Sequence, residues 1–172
     1  MAKNLFLISL ISIMILSCKI NNTELKTVPD VNLERYCGLW YEIASFPQKF
    51  QKGCRCTTAD YKLTEKNYIR VINKCQKPGK FAKIEGKAFV VKGSGNAKLK
   101  VQFFWPFKGD YWIIELDPDY NWAAVGNESR KYLWILSRRP AMQETIYNEI
   151  LNRLTAKGFD VSKLRKTEQD CK

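Results

Sequence analysis

The sequence predicts an all-β fold, an eight-stranded antiparallel up-and-down barrel with one C-terminal α-helix packed outside it. Three observations predict it. Eight short apolar runs recur at regular spacing, separated by turn-forming residues. Several of these runs alternate apolar and polar side chains. After the last run the apolar period lengthens, once, to that of a helix.

The runs cover residues 40–46, 56–63, 68–75, 81–91, 98–104, 110–116, 121–125 and 131–137. Between them stand Glu65-Lys66-Asn67, Pro78-Gly79, Gly93-Ser94-Gly95, Pro106 to Gly109, Asp117-Pro118-Asp119 and Gly126-Asn127, all turn chemistry. Ala59, Tyr61 and Leu63 alternate with Asp60, Lys62 and Thr64, and Leu99, Val101 and Phe103 with Lys98, Lys100 and Gln102. One dry and one wet face is what a single sheet closed on itself requires. The helix follows Pro140, carries Met142, Ile146, Ile150, Leu151 and Leu154 on one stripe, and stops at Gly158. An extended tail, Val161 to Thr167, leads to Cys171.

Composition narrows the function classes. Apolar residues make up 45 % and aromatics 13 %, a globular balance in a chain of 172 residues, which suits one domain. The net charge of +12 comes from lysines scattered singly, without the basic stripe of a nucleic-acid reader, so no nucleic-acid partner is expected. That charge suits either contact with anionic lipid or plain solubility. The chain has no histidine, which excludes Ser-His and Cys-His catalytic pairs, and no enzyme activity is expected. The Cys54-x-Cys56 spacing is not that of a zinc site, and neither a metal nor a cofactor is expected.

The first residues are a targeting segment. Lys3 precedes the apolar run "NLFLISLISIMIL", which ends at Ser17-Cys18 and is short for a membrane span. "ILSC" resembles the lipobox of bacterial lipoproteins, in which the signal is cut before a cysteine that becomes lipid-modified. On that reading residues 1–17 are a lipoprotein signal peptide, Cys18 is the lipidation site, residues 18–33 are a tether and residues 34–172 form the domain. Cleavage elsewhere, to a soluble secreted protein, is the competing reading. Lys19 stands where an inner-membrane retention signal usually places Asp, which favours the outer membrane. Export exposes Cys37, Cys54, Cys56, Cys75 and Cys171 to oxidation, and an odd count leaves one free. Cys54 and Cys56 face the region of Cys75 across a hairpin turning at 64–67, whereas Cys37 reads as a small buried apolar residue.

From about residue 34 to Cys171 the chain resembles the lipocalin family, in particular its bacterial outer-membrane and apolipoprotein D branches. "RYCGLWYEIASFPQKFQKG" resembles the first family signature, built on Gly-x-Trp; "ELDPDYNWAAV" resembles the second; "YLWILSRRP" resembles the third. "GKAFV", "LKVQFFWPF" and "GFDVSKL" are similar to the bacterial branch. The resemblance implies that Trp40 plugs the closed end of the barrel, that Gly38 permits close approach there, and that Arg138 lies across the indole. It also implies a Cys56–Cys171 bridge, leaving Cys54 with Cys75; Cys75 with Cys171 is the competing scheme.

Counting strand direction from that closed end places residues 46–54, 75–81, 104–110 and 126–131 at the open rim, with Phe46, Pro47, Phe50, Phe104, Trp105 and Phe107 as its apolar members. Such a cluster marks a ligand mouth or membrane contact unless the loops fold inward over their own core. Alternation and resemblance together give the inward face. It takes Tyr61 from the second strand, Ile69, Val71 and Asn73 from the third, and Ile84, Ala88 and Val90 from the fourth. Leu99, Val101 and Phe103 follow from the fifth, Tyr111 and Ile113 from the sixth, and Tyr132 and Trp134 from the eighth. Small residues among them, Ala59, Gly86 and Ala88, leave room for one ligand. Two readings stand for Glu115: parity turns it inward near the base, and a strand bulge turns it to water.

The expected function is a lipid-anchored lipocalin that stores or carries a small hydrophobic ligand, a fatty acid or lysophospholipid, at the bacterial outer membrane. Asn73, Tyr61 and Tyr111 are the candidates to meet its head group. The alternative is a filled barrel acting through a protein partner. The oligomeric state is open, a homodimer included.

Overall fold

The computed structural model describes residues 24–171. A short helix α1 (Leu33–Tyr36) leads into eight strands: β1 (Gly38–Ser45), β2 (Arg55–Leu63), β3 (Ile69–Lys77), β4 (Lys80–Val90), β5 (Lys98–Phe104), β6 (Phe107–Leu116), β7 (Trp122–Gly126) and β8 (Leu133–Ser137). Helix α2 (Glu144–Ala156) and a two-residue strand β9 (Arg165–Lys166) complete it. Each of the eight strands pairs antiparallel with the next, and β1 pairs with both β8 and β2, so the sheet closes into a barrel. All eight lie within three residues of the predicted bounds; α1 and β9, too short to carry a period, were not predicted.

Closure creates two apolar cores, one inside the barrel and one outside it. The outer core joins Tyr147, Ile150 and Leu154 of α2 to Ala44, Trp112, Ile114, Ala124 and Ile135 on the sheet. The inner core gathers Trp40, Ile69, Val71, Ala88, Leu99, Ile113 and Val125.

Two bulges decide which side chains go where. The β1–β8 register shifts between Glu42 and Ala44, so Trp40 and Glu42 point inward whereas Ala44 and Phe46 fall on the outer face. Phe46 is therefore not a rim residue: it is buried against Phe159, ring centroids 6.4 Å apart. The β6–β7 register shifts between Ile113 and Glu115, which puts Ile114 and Glu115 together on the outside. Glu115 does not line the base. It lies 3.1 Å from Lys157 and 3.4 Å from Arg153, under α2 rather than in open water.

The segment expected to be a tether is part of the fold from Leu25 onward. Leu25 is buried in the outer core and Val31 in the inner one. Val28 donates its N–H to Ile113 O at 3.1 Å, and Val31 to Gly95 O at 2.8 Å. Gly95 has φ +56°, and a Cβ there would stand 2.0 Å from Pro29 O, so only glycine admits this packing. Three apolar residues spaced among polar ones gave too little pattern to reveal it. The signal expected at 1–17 and the lipidation expected at Cys18 lie outside the described residues.

Candidate ligand cup

The closed end is built from β1, α1 and the end of β8. Gly38 has φ +95°, and a Cβ there would touch the Arg138 guanidinium at 3.4 Å. Trp40 is fully buried and donates Nε1–H to Tyr36 O at 2.8 Å. The Arg138 guanidinium lies 3.8 Å over its ring. Arg138 also donates to the carbonyls of Arg35 (2.6 Å), Tyr36 (3.1 Å), Cys37 (3.0 Å) and Leu39 (2.9 Å). It thus satisfies the carbonyls that the end of α1 leaves free, a role beyond the indole contact. Cys37 is a free thiol beside it, half-buried rather than buried.

The inward residues divide by depth. Ile69, Ala88, Leu99 and Ile113 point inward but belong to a solid base, filled further by Val31, Tyr36 and Trp40. They do not line the cavity. Val90, the last residue of β4, is 39 % exposed and lines nothing. Above the base lies a cavity of about 610 Å³, lined by Tyr61, Val71, Asn73, Ile84, Val101, Phe103, Tyr111, Tyr132 and Trp134 among others. The inward face is legible by parity; how far its filling rises is not, because α1 and the segment before it supply the filling.

The mouth lies where the β1–β2, β3–β4, β5–β6 and β7–β8 loops meet. Phe50, Phe104, Trp105 and Phe107 are 65, 68, 86 and 76 % exposed, and Phe81, not among the expected rim residues, is 66 % exposed. Pro47 is exposed and does not line the cavity, whereas Lys77 and Lys108 do. Both disulfides stand at this end, Cys54–Cys75 and Cys56–Cys171, and the Cys75–Cys171 scheme is not adopted. Asp170 lies near Cys56 and Cys171, but both sulfurs are spent in the bridge, so the group offers no thiolate to a metal.

Polar groups stand at two heights, in the floor beneath the cup and on its wall. At the floor, Tyr36 Oη lies 2.7 Å from Tyr111 Oη, and Tyr61 donates to Tyr111 Oη at 2.9 Å. Burial pushes all three phenols above their ordinary range, and crowding by the other two adds to this at Tyr111. Higher up, on the wall formed by β1, β2 and β3, sits Glu42, only 5 % exposed. One carboxylate oxygen accepts from Ser45 (3.0 Å) and Thr167 (2.6 Å), the other from Gln51 (2.7 Å). Gln51 in turn accepts Nε1–H of Trp134 at 3.2 Å. Thr57 and Asn73 stand on the same wall. Glu42, Gln51 and Thr57 were missed from the sequence, although Glu42 shares Trp40's parity and was legible on that ground.

Residues 31–169 match the family described as "Lipocalin-like domain". The chain is a lipocalin. Among curated proteins it is 44 % identical over 155 residues to temperature-induced lipocalin-1 of Arabidopsis thaliana, covering 85 % of this lipocalin and 83 % of the relative. It is also 44 % identical over 138 residues to outer membrane lipoprotein Blc of Escherichia coli K12, covering 79 % and 78 % of the two chains. Among solved structures, insecticyanin of the tobacco hornworm Manduca sexta superposes with a TM-score of 0.70 at 22 % identity, over 84 % of each chain. That likeness is one of fold: the same barrel, from a sequence that has largely diverged.

Proposed function

We propose that this lipocalin binds one single-chain amphiphile, a fatty acid or lysophospholipid, and exchanges it with the bacterial outer membrane to which a lipid on Cys18 tethers it. The observation that carries the reading is the cup itself. A cavity of about 610 Å³ above an apolar base lies within the size range of small-ligand pockets. A barrel filled to the rim, acting only through a protein partner, would have no such space. The exposed aromatics at the mouth, beside Lys49, Lys52, Lys80 and Lys108, suit contact with an anionic lipid surface. An anchor would hold that mouth near its ligand source and raise the effective concentration without changing intrinsic affinity. The relative named an outer membrane lipoprotein supports this location.

The test is tryptophan fluorescence of the mature chain titrated with lysophospholipid and with fatty acid below their micelle concentrations. Saturable one-to-one quenching, weakened in Trp134→Phe, is expected. No response to either lipid by a folded β protein would end the carrier reading.

A further inference from the structure

Lysines that stand singly along the chain are gathered onto one side of the barrel when the sheet closes. Residues 55–104, which make β2 to β5 and their turns, hold twelve lysines and arginines against three acids, so +9 of the chain's net +12 falls within them. The outer core that α2 covers holds no residue from these four strands, and the lysines on their outer face stand in solvent. Register sets the cations of that face in rows. Lys62 pairs with Arg70, and Arg70 with Lys87, one row across three strands. Lys74 pairs with Lys83 in a second row, nearer the mouth. These two alternate with Asn73, Cys75, Ala82 and Ile84, which face the cup, so their side chains stand outside it. The helix side is close to balanced: residues 138–171 hold seven cations against five acids.

Like charges directly opposite one another destabilise a sheet. This face has little acid to offset them. Glu85 is held by Arg70 at 2.6 Å and Asp110 by Lys100 at 2.6 Å. Among the described residues no carboxylate comes within ion-pair distance of Lys62, Lys74, Lys83 or Lys87. Lys87 lies 5.0 Å over the Tyr68 ring and Lys98 3.9 Å over Trp112, contacts that hold a lysine without neutralising it. Solubility needs net charge, but not its concentration on one face with cations set against cations. At the mouth end of the same strands the surface turns apolar. Phe81 precedes Lys83 by two residues on the same face of β4, and the β5–β6 turn carries the exposed Phe104, Trp105 and Phe107.

We propose that the outer face of β2 to β5 is a docking surface for an anionic lipid bilayer. The barrel leans on it sideways, with its β3–β4 and β5–β6 turns at the acyl boundary and its lysine rows over the phosphates. This extends the mouth contact of the carrier reading and rests on it. A membrane surface has two layers, and the face has the two complements in the same order along its strands. Lysines reach phosphates from apolar stems, while aromatic tips enter the layer beneath. Duplex DNA offers the charge but no apolar layer for Phe81, Phe104, Trp105 and Phe107. The lean turns the mouth toward the bilayer from one side and leaves α2 and the C-terminal tail in water.

The experiment uses the chain from Lys19 to Lys172, which holds every described element and lacks Cys18 and any lipid on it. It measures sedimentation with vesicles of phosphatidylcholine alone and with about 30 % phosphatidylglycerol added. Binding about a hundredfold or more tighter to the anionic vesicles is expected, weakening as salt is raised. The decisive variant combines Lys74→Gln, Lys83→Gln and Lys87→Gln. It should weaken anionic binding by about fivefold for each lysine removed. The control combines Arg139→Gln, Lys163→Gln and Arg165→Gln. It removes the same charge from the helix side, beyond a Debye length from the docked lipid, and should change binding by less than about threefold. If both triple variants lose binding equally, net charge rather than this face attracts lipid, and the docking surface is overturned. If the lysine variant binds normally while Phe104→Ser with Trp105→Ser does not, the docking surface is overturned and the mouth contact stands. No sedimentation with either vesicle overturns both, and if a short duplex DNA binds instead, the face belongs to a nucleic acid.

Discussion

The two ends of the barrel are held together by different means. At the closed end Trp40, Arg138 and the residues before β1 pack without a covalent link. At the open end aromatic side chains stand in solvent, and both disulfides are there. An end that admits ligand cannot be stabilised by burying its own apolar surface, because that surface would then fill the mouth. Restricting the unfolded chain supplies the stability instead. The closed end has no such restriction and uses packing density.

The comparison breaks most visibly at the long bridge. Replacing Cys56 and Cys171 together by Ala should cost about 5 kcal/mol by urea unfolding, because the bridge closes a loop of 115 residues. The Cys54–Cys75 pair, spanning 21 residues, should cost about 3 kcal/mol on the same scale. At the other end, Trp40→Ala should cost about 4 kcal/mol, by a cavity in a fully buried site. If the bridge pair proves cheaper than Trp40, the mouth is held by contacts rather than by restricted unfolding.

Arg138→Met keeps much of the bulk over Trp40 but strands the carbonyls of Arg35, Tyr36, Cys37 and Leu39. The expected loss is about 2–3 kcal/mol, again by urea unfolding. The floor tyrosines sharpen the contrast through pH. Burial raises Tyr36, Tyr61 and Tyr111 above the ordinary phenol value of about 10, so their contribution is complete below that pH. Above it the unfolded chain ionises first, and stability falls by about 1.4 kcal/mol per pH unit for each tyrosine still protonated in the fold. Urea midpoints between pH 8 and pH 11 should show this decline, and Tyr111→Phe should make it shallower. The smallest effect on stability belongs to the rim: Phe104→Ser with Trp105→Ser should shift unfolding by less than about 0.5 kcal/mol. The same pair should reduce sedimentation of the protein with anionic vesicles, which the closed-end variants leave unchanged.

Alternation placed the strands because each residue's face is a local property, as it is for Leu99, Val101 and Phe103. Counting strand direction failed at Phe46, and of the two readings of Glu115 the bulge is the one that holds, because one extra residue reverses the parity of everything beyond it. The polar wall of the cup went unread for a related reason. Glu42 had the right parity, but nothing in "WYEIAS" distinguishes a carboxylate facing a cavity from one facing solvent. Its partner Thr167 comes from 125 residues away, beyond any local pattern.

By itself, then, the sequence determined the eight strands, the outer helix and which side chains of most strands face inward, since these follow from periodicity, while the Trp40–Arg138 closure was legible through the family resemblance. Only the tertiary structure decided how high the base is filled, where the bulges turn the parity, that residues from Leu25 onward belong to the fold, and that Glu42, Thr57 and Asn73 share one wall. Those features arise from closing the sheet, which brings together strands and a C-terminal tail that are distant along the chain.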